Sequence, residues 1–316
     1  MRKVLASDVD VFEGVDIGGI KQFILARGNN ESNPLILFLH GGPGMAQIGF
    51  MPHYQKILEE HFIVVNWDQR GAGLSFSDNI PKESMNTQQF IYDTIEVTNY
   101  LRKKYKKERI YLIGHSWGSL LGMKVIYEHP ELFYHFIGVG HVADMWRVEE
   151  LRYNFTKDMV IKENNTEAIK ELEGIGYPPY KDGLNCIQVS SKWHAKYAKY
   201  IRTGDANTFI TEGIKNSRYF SNENMEQWSN GLQFSINSLF KELFEANLYK
   251  NVKTVDVPVT FFGGRFDYTT FSSLASEYLD YINAPKKNFV WFEKSAHIPM
   301  LEESEEFQHG LVDLLL

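Results

Sequence analysis

The sequence predicts an α/β protein with a mostly parallel central sheet, helices on both faces and one helical segment inserted between two strands. Three observations carry this. Short, continuously apolar runs recur and end at glycine or a polar turn, as strands buried on both faces do. Helical patterns lie between them, and alternation of strands with helices makes a parallel sheet. Residues 143–245 break that alternation with helical stretches rich in Lys, Glu, Tyr and Trp.

In chain order, residues 20–25 alternate weakly and are expected to pair with the region from Val9 to Phe12. The run 35–39 ends at His40-Gly41-Gly42, and the run 62–67 ends at Asp68. The runs 110–113 and 136–139 end at Gly114 and near His141, and the run 257–262 ends at Gly263-Gly264. The last run, 289–292, stops before Ser295. A helix is predicted over 87–104, with apolar residues at 90, 91, 95, 97 and 101, and another over 119–129. The basic stretch Arg102-Lys103-Lys104-Tyr105-Lys106-Lys107 reads as a solvated helix C-terminus, where cations are favoured. Residues 1–142 and 246–316 are thus expected to form the core, and residues 143–245, which include Pro178-Pro179, a helical cap.

The totals bound the function. With 316 residues, 43% of them hydrophobic, the chain can bury a large core. A net charge of −7, from 33 basic and 40 acidic residues, is no footprint for nucleic acid. The single cysteine, Cys186, permits no internal disulfide, which fits a reducing cytoplasm, and its polar surroundings do not suggest a nucleophile. No signal peptide is expected from the first eight residues, and no run is long enough to span a bilayer, so no membrane partner is expected. The histidines show no H-E-x-x-H spacing and no Gly-x-Gly-x-x-Gly follows a strand, so neither a metal nor an organic cofactor is expected.

Gly114-His115-Ser116-Trp117-Gly118 fits Gly-x-Ser-x-Gly with a strand before it and a helix after it. Such a turn holds the Ser116 hydroxyl above the sheet at a helix N-terminus, where developing negative charge is favoured. Acyl transfer needs two N–H donors for the tetrahedral oxygen. Trp117, next after the serine, and Gly42, in the loop His40-Gly41-Gly42-Pro43-Gly44, are the candidates. Serine also needs a base held by a third group, in the chain order serine, acid, histidine. Among the later histidines, only His297 lies in a loop directly after the last strand, on the rim where α/β sheets bind ligands. Asp267 follows the preceding strand onto the same rim. Asp144, past an earlier strand, is its rival, and Asp256 lies at the wrong end of its strand.

These pieces together resemble the proline iminopeptidase-like, S33-type serine aminopeptidases of the α/β-hydrolase superfamily. The resemblance rests on His40-Gly41-Gly42-Pro43-Gly44, Trp67-Asp68-Gln69-Arg70-Gly71-Ala72-Gly73-Leu74-Ser75 and Gly114-His115-Ser116-Trp117-Gly118. It continues through Gly264-Arg265-Phe266-Asp267 and Ala296-His297-Ile298-Pro299. It implies an α/β-hydrolase fold, a triad of Ser116, Asp267 and His297, and oxyanion donors at Gly42 and Trp117. The family's aminopeptidases carry a Trp-Glu pair in the cap whose carboxylate holds the substrate ammonium. None of the six tryptophans here is followed by Glu. Other cap acids that could bind an amine are Glu149, Glu150, Glu212, Glu223, Glu226, Glu242 and Glu245, and Trp193, Tyr197, Tyr200 and Trp228 could line a pocket. The expected function is aminopeptidase-like cleavage of small peptides or aminoacyl amides. An esterase or lactonase with the same triad is the second reading, and a ligand-binding protein with a vestigial site is the third.

Overall fold

A computed structural model describes residues 9–316 apart from 181, 182 and 203. Eight strands form one sheet: β1 (Val9–Ile17), β2 (Ile20–Gly28), β3 (Leu35–Leu39), β4 (Ile63–Asp68), β5 (Ile110–His115), β6 (Phe133–Val139), β7 (Val259–Gly264) and β8 (Lys287–Phe292). Their spatial order is β1-β2-β4-β3-β5-β6-β7-β8. The pairs β1·β2 and β2·β4 are antiparallel, and every other pairing is parallel. β1 and β2 form a hairpin closed by Gly18-Gly19, both at positive φ (55° and 77°), a two-residue turn that glycine adopts without strain.

The core helices are α1 (Lys56–His61), α2 (Thr87–Lys104), α3 (Trp117–Glu128), α10 (Ser272–Tyr281), α11 (Pro299–Glu302) and α12 (Ser304–Leu315). α2 starts where the Asn86 side chain accepts from the Gln89 N–H and ends in Arg102, Lys103 and Lys104, the charge arrangement that a helix dipole favours. β3 and β4 are buried along their whole length because helices cover both faces. Successive side chains therefore enter different cores. Leu35, Leu37 and Leu39 join the one shared with α2 and α3, and Ile36 and Phe38 join the one shared with α12.

Between β6 and β7 the described residues form no named strand. They fold as α4 (Met145–Lys162), α5 (Thr166–Ile175), α6 (Gly183–Tyr197), α7 (Ala206–Lys215), α8 (Met225–Glu245) and α9 (Leu248–Asn251). This helical segment sits on the loops at the carboxyl ends of the strands. The Trp228 indole donates to Ala46 O (3.1 Å), the Ser235 hydroxyl to Gly71 O (2.9 Å) and His194 Nε2–H to Tyr268 O (2.8 Å). The chain runs from β3 to β4 on one side and then crosses to β5 on the other. The loops after β3 and β5 therefore flank the point where strand order reverses, which is where open α/β sheets place ligands.

Candidate active site

The site is built where β3, β5, β7 and β8 end. Ser116 closes β5 and opens α3 with φ 52° and ψ −116°, a conformation costing of order 1–3 kcal/mol that its surroundings must hold. Its N–H donates to Val139 O (2.9 Å), and its carbonyl accepts from the Ser119 hydroxyl (2.7 Å). The turn can be this tight because a Cβ on Gly114 would stand 2.2 Å from Gly118 O, and one on Gly118 would stand 2.2 Å from Leu39 O. Trp117 is the first helical residue, so its N–H belongs to the group of helix-opening donors without an intrahelical acceptor.

His297 follows β8, and Asp267 follows β7. Both are buried, and His297 Nδ1 lies 2.9 Å from Asp267 Oδ2. A carboxylate only accepts, so Nδ1 carries the proton and Nε2 of the neutral ring presents a lone pair. That Nε2 is buried and has no hydrogen-bond partner. Asp267 is further tied by the N–H groups of Thr269 (2.8 Å) and Thr270 (3.0 Å) on Oδ1 and by the Thr270 hydroxyl (2.9 Å) on Oδ2. Burial alone would raise the Asp267 carboxyl. The charge and hydrogen bond of His297 and the Thr270 bonds outweigh it and hold the carboxyl down at about 2. The base is also fixed from behind. His115 Nε2–H donates to His297 O (3.2 Å), and the Tyr200 ring packs 4.8 Å from the imidazole. Burial, with His297 adding to it, keeps His115 neutral, its pKa lowered to about 3.

The His40–Gly44 loop faces the serine: a Cβ on Gly41 would stand 3.2 Å from Ser116 Cβ. Gln69 joins this loop to α3. Its amide Nε2–H donates to His40 O (3.1 Å), and its Oε1 accepts from the Trp117 indole (3.3 Å). Only a side chain that donates and accepts at once can span both arms. The neighbours of Gln69 serve the scaffold. Asp68 accepts the N–H groups of Gln47 (3.2 Å), Ile48 (3.2 Å) and Leu74 (3.0 Å), and Arg70 forms a buried two-pronged pair with Asp93 (2.8 and 3.0 Å).

The structure thus brings Asp267 and His297 into contact and sets Ser116 and Trp117 at the start of α3 and Gly42 in the loop after β3. It does not bring Asp144 there. Asp144 caps α4, accepting from the Trp146 N–H (3.0 Å), and its other oxygen is held by the Asn247 amide. Of the acids in the helical segment, Glu149 is wholly buried, with Tyr180 OH on Oε1 (3.0 Å) and Arg152 Nη1 3.3 Å from Oε2. Glu242 accepts from the Thr87 N–H (2.6 Å), and Glu212, Glu223, Glu226 and Glu245 are exposed. Sequence reasoning named Tyr200 and Trp228 as possible pocket residues, and both line a cavity, but it missed Thr270, Ser119, the packing of Tyr200 on His297 and the role of Gln69. Only Thr270, three residues after Asp267, carried a local signal, that of a carboxylate capping the backbone two and three residues on. Among the described residues, no cluster of three or more His, Cys, Asp or Glu could hold a metal ion, and no helix is long and apolar enough to cross a membrane.

A family model described as the alpha/beta hydrolase fold matches residues 34–304. A probable aminopeptidase, YbaC, of Bacillus subtilis (strain 168) is 35% identical over 305 residues, covering 96% of this chain and 95% of that protein. A proline iminopeptidase of Clostridium botulinum is 24% identical, covering 90% of each chain. Among solved structures, the proline iminopeptidase of Mycobacterium smegmatis superposes with a TM-score of 0.70 at 18% identity, over 96% of this chain and 97% of that one. These likenesses, together with the site at the strand ends, make this chain a hydrolase, and it belongs to the α/β-hydrolase fold family.

Proposed function

We propose that this enzyme cleaves small peptides or aminoacyl amides with a free N-terminal amine, using Ser116 as nucleophile, His297 as base and Asp267 as the group that orients it. The observation that carries the chemistry is the buried 2.9 Å bond from His297 Nδ1 to Asp267, with His297 Nε2 left unpartnered. In the forward step the Ser116 Oγ–H proton passes to Nε2 as the Oγ–C bond forms and the carbonyl electron pair moves onto oxygen. The N–H groups of Gly42 and Trp117 receive that oxyanion. Each such donor contributes about 3–4 kcal/mol to the transition state in comparable sites. The C–N bond then breaks, and the leaving amine takes the proton from Nε2. Water repeats the sequence on the acyl-enzyme: its proton goes to Nε2, its oxygen to the carbonyl carbon, and Ser116 recovers its proton as the carboxylic acid leaves. Asp267, ionised, holds Nδ1–H and stabilises the imidazolium formed in each half.

The amine requirement is supported by the aminopeptidase and proline iminopeptidase names of the similar proteins. Of the cap acids, Glu149 is the carboxylate proposed to meet the ammonium, since it is fully buried, and the ammonium would share its Oε2 with Arg152, whose Nη1 lies 3.3 Å away. The test is a comparison of free and N-acetylated aminoacyl arylamides. Losing a buried charge partner costs about 2–5 kcal/mol, so acetylation should lower kcat/KM roughly 30-fold or more, and Glu149→Gln should erase most of the difference. Equal hydrolysis of both forms, with simple aryl esters faster than either, would favour an esterase. That second reading has its own support in the cavity lined by Met45, His115, Ile298 and Trp228, where no carboxylate stands among the described residues.

A further inference from the structure

A cavity of about 270 Å³ is lined by residues that adjoin these groups, among them Tyr200, whose ring packs 4.8 Å from the His297 imidazole. Met45 and Gln47, which continue the chain from the His40–Gly44 loop, form one wall. His115, just before Ser116, and Ile298, just after His297, form the next. Ile210 of α7 and Trp228 and Leu232 of α8 close it from the helical segment. Among the described residues, no Asp, Glu, Lys or Arg lines it. Two of its polar groups are already engaged, since the Trp228 indole N–H is spent on Ala46 O (3.1 Å) and His115 Nε2–H on His297 O (3.2 Å).

We propose that this cavity is the subsite for the side chain on the acyl half of the substrate, and that it takes a bulky apolar group such as benzyl or isobutyl. The inference rests on Ser116 being the nucleophile. Three arguments carry it. A charged side chain would be desolvated here with no counter-charge, at a cost of several kcal/mol. A dry cavity of about 150 Å³ is enough to hold benzene, so 270 Å³ accommodates a phenyl ring with its methylene, whereas a methyl group would leave most of it unfilled. The acyl group stays bonded to the serine through both halves of the reaction, so a bounded pocket contacting it lowers both barriers, while the leaving group departs after the first.

The test is a series of aminoacyl arylamides with one common leaving group. Phenylalanyl and leucyl substrates should exceed alanyl in kcat/KM by about 30-fold or more, since one methylene in an apolar pocket already discriminates by about tenfold or more. Glutamyl and lysyl substrates should fall below alanyl. Ile210→Trp, which fills the cavity, should cut the phenylalanyl and leucyl rates at least about tenfold relative to alanyl, with circular dichroism and the urea midpoint checking that the variant is folded. Leu232→Ala, which enlarges the cavity, should raise tryptophanyl against phenylalanyl at least about fivefold. If amides are inert and only esters turn over, 3-phenylpropionyl esters should outrun acetyl esters by the same margin; the subsite then stands although the amine reading has failed. Turnover that depends on Ser116 but shows no order among the apolar side chains, or an order that follows the leaving group instead, overturns the subsite and leaves the nucleophile untouched.

Discussion

Replacing Asp93 by Ala probes what the stretch Asp68-Gln69-Arg70-Gly71 does. Arg70 and Asp93 pair with Nε to Oδ2 at 2.8 Å, and their side chains are 1% and 0% exposed. Without the carboxylate, the Arg70 guanidinium stays buried with Gly18 O (2.7 Å) and the Ser84 hydroxyl (3.2 Å) as its remaining partners. Breaking a buried pair from one side costs about 3–5 kcal/mol because the remaining charge is uncompensated. Gln22 and Gln89 each lose an acceptor as well, at 2.7 Å in both cases, although Gln22 keeps Ile17 O (3.1 Å). These losses share one network and do not add in full. The expected destabilisation is about 4–5 kcal/mol, a large part of the roughly 5–15 kcal/mol typical of a folded domain. Urea unfolding followed by circular dichroism should show the midpoint falling with an unchanged m-value. Arg70→Met with Asp93→Leu in the same chain should recover most of the loss, because a packed apolar pair removes the stranded charge. The folded fraction of Asp93→Ala should retain kcat/KM within about fivefold, since neither residue touches the proposed reacting groups. A destabilisation below about 1 kcal/mol, or a double variant no better than the single one, would refute the reasoning.

Two further outcomes follow from the acids. Asp267→Asn should lower kcat about 10⁴-fold by losing the tautomer that leaves Nε2 free, whereas Asp144→Asn should leave kcat nearly unchanged and cost about 1 kcal/mol as a weakened helix cap. Steady-state kinetics and urea unfolding of both variants check this, and the reverse ranking would remove Asp267 from the mechanism. The Asp267 carboxyl, held down at about 2, also links stability to pH. A group whose pKa is lower in the folded state adds stability that is complete above its unfolded value of about 4 and is lost as pH falls from there through about 2. A depression of nearly two units corresponds to roughly 2–3 kcal/mol. The drop in unfolding free energy between pH 5 and pH 2 should therefore be smaller by about that amount in Asp267→Asn, and an identical drop in both proteins would contradict the assignment.

The alternation of apolar runs and helical patterns made the parallel part of the sheet legible, because strands buried on both faces are apolar throughout, as β3 and β4 are. The first hairpin was less legible. Its strands extend to Ile17 and Gly28, but Glu13 breaks the inward face by bonding the Tyr100 hydroxyl of α2 (2.8 Å), and together with the exposed Asp16 and Lys21 it hides the pattern that the Gly18-Gly19 turn would have revealed. The positions of Ser116, Asp267 and His297 past the ends of β5, β7 and β8 were readable, because order along the chain fixes them. The contact of Tyr200 with His297 and the role of Gln69 were not, because their partners lie far away in sequence. The Tyr200 carbonyl receives the His297 N–H (3.2 Å), and Gln69 reaches the Trp117 indole 48 positions on. Contacts of that kind arise only when the helical segment is laid over the strand ends and the sheet order brings β3 beside β5. The acid that could meet a substrate amine stayed open for the same reason. Glu149 differs from its neighbour Glu150 in burial, which the local sequence does not encode.

The most direct measurement is intact-mass analysis after reaction with a fluorophosphonate, followed by peptide mapping, in the unmodified enzyme and in Ser116→Ala. The account predicts a single adduct at Ser116, none in the variant, and a fall in turnover of about 10⁴- to 10⁶-fold. Labelling at Cys186 or at another serine, or undiminished turnover in Ser116→Ala, would contradict it.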